Sequence, residues 1–250
     1  VSGPVALHGG GEFQAGDEAF LGALLDHAVE RADDGRVVRV VIVPTAAARH
    51  RPDLSGADGV AAVRDVAKAK GIGVDVSIVL VVNRASVADP ALAARLAGAD
   101  VIHFPGGDPD LIPTLMPGTR AWAAVQEAHA AGAVLAGASA GAMAFGSWTW
   151  TYGGGLAGLR VVSGIVVVPH ARAATWAATT ERFAAWAPPG LGALGLAEQT
   201  GVIQEPIVAG HSTIDWRVVG PGEARWLAVP GGRTVVAGPG ERISTPVIPL

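Results

Sequence analysis

The stretch Ala133-Val134-Leu135-Ala136-Gly137-Ala138-Ser139-Ala140-Gly141-Ala142-Met143 decides how the rest of the chain is read. It combines a short apolar run suited to a buried strand, the pattern Gly-x-Ser-x-Gly, and a small-residue helix start. A serine in that pattern sits on a sharp strand-to-helix turn, with its hydroxyl presented at the carboxyl edge of a sheet. The turn is too tight for bulky neighbours, and Gly137, Ala138, Ala140 and Gly141 are all small. The N–H of Ala140 faces the same point and is a candidate oxyanion donor. The competing explanation is a small-residue turn arising by chance, since 35 of the 250 residues are glycine. The strand before the serine and the helix after it favour a nucleophile at Ser139.

Upstream of that turn, strand and helix patterns alternate. Pro4 to His8 reads as a buried strand, followed by the glycine turn Gly9-Gly10-Gly11. Asp17 to Val29 places Phe20, Leu21, Leu24, Leu25 and Ala28 on one helical face, and Asp33-Asp34-Gly35 breaks it. Arg36 to Val43 is nearly continuous in Val and Ile, as a parallel strand covered on both faces requires, and Pro44-Thr45-Ala46 ends it. A helix from Asp58 to Lys70 closed by Gly71 and a strand from Val74 to Val82 come next. Asp89 and Pro90 then serve as N-cap and first residue of a short helix. Asp100 to Phe104 is a strand ending in Pro105-Gly106-Gly107-Asp108-Pro109, and Thr119 to Ala131 is a helix.

Such alternation with short links implies an α/β fold, a mostly parallel doubly wound sheet with helices on both faces. Ligands bind at the carboxyl ends of strands in such sheets. The turns at Gly9 to Gly11, Pro44 to Ala46, Gly106-Gly107 and Ser139 all fall on that edge, and their coincidence is stronger evidence for a site than any one motif.

Downstream the texture changes. Trp148, Trp150 and Tyr152 precede Gly153-Gly154-Gly155, which reads as a flexible loop. Val161 to Val168 is a strand leading to Pro169-His170, and Trp176 to Trp186 is a helix stopped by Pro188-Pro189-Gly190. From Leu194 onward short strands alternate with Gly and Pro turns, including a hairpin around Gly210-His211-Ser212-Thr213. With no polar linker, residues 1–250 read as one α/β domain whose C-terminal part is an antiparallel β extension.

Composition excludes several classes. Half the residues are hydrophobic and 16% are charged, which is not the balance of a disordered chain. The net charge of −4, with no basic stripe, argues against nucleic acid as a partner. The absence of cysteine removes disulfides, thiolate nucleophiles and Cys-based metal sites. Apolar runs are of strand length, so no membrane partner is expected. No signal peptide is visible, and a cytoplasmic location is expected. His8, His27, His50, His103, His129 and His211 show no metal-ligand spacing, so neither metal nor other cofactor is expected.

The order of motifs resembles the dipeptidase E and cyanophycinase family of serine peptidases, which share a fold with class I glutamine amidotransferases. The resemblance rests on Gly9-Gly10-Gly11, Val43-Pro44-Thr45-Ala46, Phe104-Pro105-Gly106-Gly107-Asp108, Gly137-Ala138-Ser139-Ala140-Gly141-Ala142, Pro169-His170 and Gly195-Leu196-Ala197-Glu198-Gln199-Thr200. It implies a family-like core over residues 1–203 and a β-rich extension over 204–250. It further implies Ser139 as nucleophile, His170 as its base, and oxyanion N–H groups from Gly107 and Ala140. Gly106, Asp108, Gly10 and Gly11 join the candidate oxyanion and substrate-binding set. The expected substrate is a small peptide or amide, and a homodimer is admissible.

No Asp or Glu lies between Gly141 and Pro169, so Glu198, after the apolar stretch Leu194 to Ala197, is the best available carboxylate to orient the base. A strand-end carboxylate that satisfies a loop backbone is the equal alternative for it. Asp108 and Asp110 read more simply as an N-cap and a first-turn charge before a helix. Two other functions stay open. One is a binding protein on this scaffold that has lost catalysis. The other is an α/β-hydrolase-type esterase, since His8-Gly9-Gly10-Gly11 matches a lipase oxyanion motif and Ser139, Glu198, His211 follow the order Ser, acid, His. Only seven residues precede His8, too few for the strands that fold places before that loop.

Overall fold

The computed structural model describes residues 2–31, 35–206 and 212–246. The break expected at Asp33-Asp34 and the tip of the hairpin carrying His211 lie outside these residues.

In chain order the elements are β1 (Val5–His8), α1 (Glu18–Arg31), β2 (Val38–Ile42), α2 (Pro52–Lys70), β3 (Val74–Ile78), α3 (Pro90–Ala97), β4 (Val101–Phe104), α4 (Leu111–Leu115), α5 (Arg120–Ala130), β5 (Val134–Ala138) and α6 (Ala140–Phe145). Then follow β6 (Trp148–Thr151), β7 (Gly154–Ala157), β8 (Ile165–Val168), α7 (Trp176–Trp186), β9 (Gly192–Leu196), β10 (Gly201–Gln204), β11 (Thr213–Val219), β12 (Ala224–Leu227), β13 (Thr234–Ala237) and β14 (Arg242–Pro246). The central sheet runs β14-β11-β10-β1-β5-β4-β2-β3. Its β1, β5, β4, β2 and β3 are parallel neighbours, while β10, β11 and β14 are antiparallel additions on the β1 side. A second sheet runs β13-β12-β9-β8, with β8 and β9 parallel.

The Val- and Ile-rich strands of the central sheet are buried on both faces, their side chains alternating between two apolar layers. Leu7, Val41 and Ile102 join a cluster with Phe104, Ile112, Phe145 and Trp216. Ala6, Val40 and Ile42 face the other way, toward Phe20, Leu24 and Val63 of α1 and α2. Helix ends follow local chemistry. Asp89 caps α3 by accepting from Ala91 N–H at 2.7 Å, and Gly71 ends α2 in the left-handed region.

Several expectations are corrected. Helix α2 starts at Pro52 rather than Asp58, because Pro fits a first helical position and Asp53 complements the first turn. Strand β3 ends at Ile78 rather than Val82, and there the chain turns aside so that Thr45 Oγ1 donates to Val81 O at 2.6 Å. The stretch Gly153 to Gly155 is no loose loop. Residues 154 and 155 begin β7, which pairs with β6, and the Trp148 ring occupies the space where a Cβ on Gly155 would stand. Strand β8 starts at Ile165, not Val161. The antiparallel strands expected after Leu194 are present, with β10, β11 and β14 extending the central sheet and β12 and β13 extending the second.

One buried group of β4 carries a pH consequence. His103 is 1% exposed, its ring nitrogens have no hydrogen-bond partner among the described residues, and it packs against the rings of Phe13 and Phe20. Burial lowers its pKa to about 4, with nearby Asp17 opposing and His8 adding to the fall. A histidine kept neutral when folded but protonated when unfolded removes stability as pH drops from about 6.5 to about 4, on the order of 3 kcal/mol in all. Thermal melts across that window should show His103→Leu losing less stability on acidification than the wild type. Parallel curves for the two proteins would contradict this.

Candidate active site

Ser139 stands between β5 and α6 at φ 48° and ψ −114°, a conformation an L-residue rarely adopts. Its N–H donates to His8 O at 2.9 Å. The small residues around it are sterically required: a Cβ on Gly137 would lie 2.7 Å from Gly141 C, and one on Gly141 would clash with Phe104 O. The Gly-x-Ser-x-Gly pattern therefore has a structural cause beyond a glycine-rich composition.

His170 follows β8 and is also left-handed, at φ 54°. Its N–H donates to Gly9 O at 2.8 Å, which fixes the backbone beside the end of β1. The ring then spans two partners. His170 Nε2 lies 3.2 Å from Ser139 Oγ, and Nδ1 lies 3.0 Å from Glu198 Oε1. Gly10, at φ 104°, sits against the ring so closely that a Cβ would collide with it. Glu198 is positioned by its neighbour Gln199, at φ 55°, whose N–H donates to Gly10 O at 2.7 Å. Arg172 Nη2 approaches the same carboxylate oxygen at 3.8 Å. His170 and Glu198 side chains are about half exposed. A hydroxyl, an imidazole and a carboxylate in line can pass a proton from the hydroxyl to the ring while the carboxylate holds the tautomer.

The turn after β4 supplies the other wall. A methyl group on Gly106 would touch Ser139 Cβ at 3.0 Å, so this backbone abuts the serine. Gly107, at φ 146°, backs onto Ala46 O, and Asp108 N–H donates to that same oxygen at 2.7 Å. Among the described residues, neither Gly107 N–H nor Ala140 N–H has a hydrogen-bond acceptor. Gly106 N–H does: it donates to Glu12 Oε1 at 2.6 Å. Gly11 lies over Gln199 and the Glu198 Cβ. The structure thus gathers Ser139, His170, Glu198, Gly10, Gly11, Gly106 and Ala140 at one sheet edge.

Asp108 is turned elsewhere. Its carboxylate meets His50 Nε2 at 3.3 Å and Arg49 at 3.5 Å. It does not cap α4, which starts at Leu111 with Asp110 in the N-cap position and no side-chain cap bond. Asp110 instead pairs with Arg49 at 2.7 Å, and that guanidinium holds its carboxyl below the usual range.

The profile of Peptidase family S51 matches residues 5–198. The chain belongs to this family. Membership makes it a serine peptidase-like hydrolase, in agreement with the resemblance read from the motifs. Among solved structures, the S51 chain is similar to a peptidase from an acI-B1 Actinobacterium, with 23% identity, 98% of this chain and 97% of that one covered, and a TM-score of 0.75. It is also similar to a protein provisionally assigned to peptidase E from Listeria monocytogenes EGD-e, with 13% identity, 95% and 99% covered, and a TM-score of 0.54. Both likenesses concern the fold. No curated protein matches the chain.

Two groups beside this S51 site were not singled out as site residues from sequence. Glu12 is a lone glutamate directly after three glycines, and that position on a strand-end turn was its only signal. Asp17 read as the start of a helix, yet it is buried, accepts from Phe13 N–H at 2.9 Å and lies 3.0 Å from His8 Nε2. Together His8 and Asp17 brace the turn that carries Gly10 and Glu12; His8 Nδ1 also accepts from Gly10 N–H at 3.2 Å.

The tight seat of Gly10 makes a clean test. Gly10→Ala adds a Cβ where the His170 ring stands and forces alanine into a left-handed φ. Hydrolytic activity should fall by at least about a hundredfold, since small misplacements of reacting groups have effects of that size. Near-wild-type turnover in this variant would contradict the geometry.

Proposed function

We propose that the chain hydrolyses an amide bond of a small peptide through Ser139 as nucleophile, His170 as general base and Glu198 as the carboxylate that orients the base. The observation that carries this reading is the unbroken line of contacts, 3.2 Å from Ser139 Oγ to His170 Nε2 and 3.0 Å from His170 Nδ1 to Glu198 Oε1. Ser139 Oγ attacks the scissile carbonyl while Nε2 accepts its proton. The negative charge then developing on the carbonyl oxygen is met by the N–H of Ala140, at the positive start of α6, and by that of Gly107. Nε2 returns the proton to the leaving amine, and a water molecule repeats the sequence to release the acyl group.

Glu198 supplies the acid that is missing between Ser139 and His170 in the sequence. It does so because the turn after β9 lies beside His170 in space, although 28 residues separate the two in the chain. This is why a catalytically silent binding protein fits the geometry less well than an enzyme.

Kinetics of single variants test the assignment. Ser139→Ala and His170→Ala should each lower kcat by about 10⁶-fold, the size seen when either member of such a unit is removed. Glu198→Gln should lower kcat by about 10⁴-fold with little change in KM, because orientation of the base matters in the transition state. Glu198→Gln at wild-type rates, or Ser139→Ala with substantial activity, would overturn the proposal.

A further inference from the structure

The proposed reaction makes no use of the imidazole of His8, yet that ring ends on the backbone that touches the base. His8 closes β1 with its side chain fully buried, and its ring packs against that of Phe20 at a centroid distance of 4.6 Å. The two ring nitrogens face different partners. Gly10 N–H donates to Nδ1 at 3.2 Å. Asp17 Oδ1 lies 3.0 Å from Nε2, out of line for a hydrogen bond but close enough to attract a proton there. These contacts assign the tautomer: Nδ1 is bare because an N–H points at it, and the proton sits on Nε2. Asp17 is itself 1% exposed and is held in place by Phe13 N–H at 2.9 Å.

Gly10 is where this buried pair meets the site. A Cβ there would collide with His170 Cε1 and fall 2.8 Å from Nε2 and 2.9 Å from Nδ1. Gly10 therefore backs the ring edge between the nitrogens that face Ser139 and Glu198. Its carbonyl accepts from Gln199 N–H at 2.7 Å, so it also holds the turn that carries Glu198. A glycine at φ 104° has no side chain to anchor it and more backbone freedom than any other residue type. Among the described residues the bond to His8 is the only one its N–H makes. The side chain of His8 thus sets the wall against which the imidazole of His170 stands.

We propose that His8 is a positioning residue for the hydrolysis: its unprotonated Nδ1 holds Gly10 against the His170 ring, and so keeps Nε2 of the base on Ser139 and Nδ1 on Glu198. This inference rests on the assignment of Ser139 and His170 above. Asp17 serves it at one remove, by keeping the His8 proton on Nε2. A proton on Nδ1 would face the Gly10 N–H and drive the glycine off.

Two substitutions separate the two nitrogens. Asparagine puts Oδ1 where His8 Nδ1 stands and accepts an N–H two residues on, as in an Asx-turn, but is too short to reach Asp17. Glutamine puts an amide N–H where His8 Nε2 stands, beside Asp17, but leaves Gly10 N–H without an acceptor. The two variants should therefore rank in opposite order by activity and by stability. The full chain is labelled with an alkyl fluorophosphonate: Ser139 Oγ bonds to phosphorus, fluoride leaves, and the serine proton passes to His170 Nε2. The second-order labelling rate reads the base, and thermal melts read the fold.

His8→Gln should label at least about tenfold more slowly than the wild type, since small misplacements of reacting groups have effects of that size or larger. His8→Asn should recover most of that loss. In the melts the order reverses, with His8→Asn the less stable, because it strips a partner from a buried carboxylate. The same ranking in both measurements, with the label on Ser139, would make His8 a structural residue only and overturn the positioning role alone. Failure of the wild type to label at Ser139 would overturn the assignment of the nucleophile and the positioning role with it. Should either variant fail to fold, a neutron structure of the wild type decides. Deuterium on His8 Nε2, with Nδ1 bare toward the Gly10 N–D, is the expected result, and deuterium on Nδ1 would overturn the proposal.

Discussion

Three consecutive carbonyls at the end of β1 hold the site together. His8 O accepts from Ser139 N–H at 2.9 Å, Gly9 O from His170 N–H at 2.8 Å, and Gly10 O from Gln199 N–H at 2.7 Å. Three segments far apart in sequence are thereby pinned to successive residues of one strand end. Each bond is an ordinary backbone hydrogen bond, worth about 1 kcal/mol net. Its value here is geometric, because it fixes where the side chain of Ser139, of His170 and of Glu198 begins. The strand end can serve this purpose because β1 lies inside the central sheet, parallel to β5 on one side and antiparallel to β10 on the other.

That arrangement has a conformational cost. Phe13, Ser139, His170 and Gln199 all have positive φ, and all four sit on segments that meet at this edge. Such residues cost about 1–3 kcal/mol each and persist only where surrounding structure overrides the local preference. The override comes from the two apolar layers on either side of the sheet and from the buried His8–Asp17 contact beneath the glycine turn. Small residues do the remaining part, since Gly137, Gly141 and Gly10 leave room that side chains would fill.

The parallel half of the fold was legible because its signals are local. The apolar run Val40 to Val43 asks for burial on both faces and receives it, and the turn after it contains the residues its geometry requires. Ser139 was legible for the same reason. Glu198 was harder, because its partnership with His170 depends on the pairing of β9 with β8, which places the ends of those two strands side by side. The C-terminal strands were legible as strands, but not in their division between two sheets. Alternation of apolar and polar residues gives a strand its faces and says nothing of its neighbours. The hairpin of β6 and β7 was misread because three glycines suggested a loop, when Gly155 is small to admit the Trp148 ring. Asp108 was misread as a cap because Asp-Pro is a good helix start in isolation, whereas here Arg49 and His50 draw its carboxylate away.

Among the described residues the N–H groups of Gly107 and Ala140 have no acceptor, while the N–H of Gly106, which abuts Ser139, is taken by Glu12. On the proposed reading, the N–H groups of Gly107 and Ala140 receive the negative charge that develops when Ser139 attacks. A crystal structure of the chain after reaction with a fluorophosphonate tests this most directly. The account predicts phosphorus bonded to Ser139 Oγ, a phosphoryl oxygen accepting from Gly107 and Ala140 N–H, and the His170 ring still joined to Glu198. An adduct on another residue, or a phosphoryl oxygen pointing away from both N–H groups with His170 detached from Glu198, would contradict it.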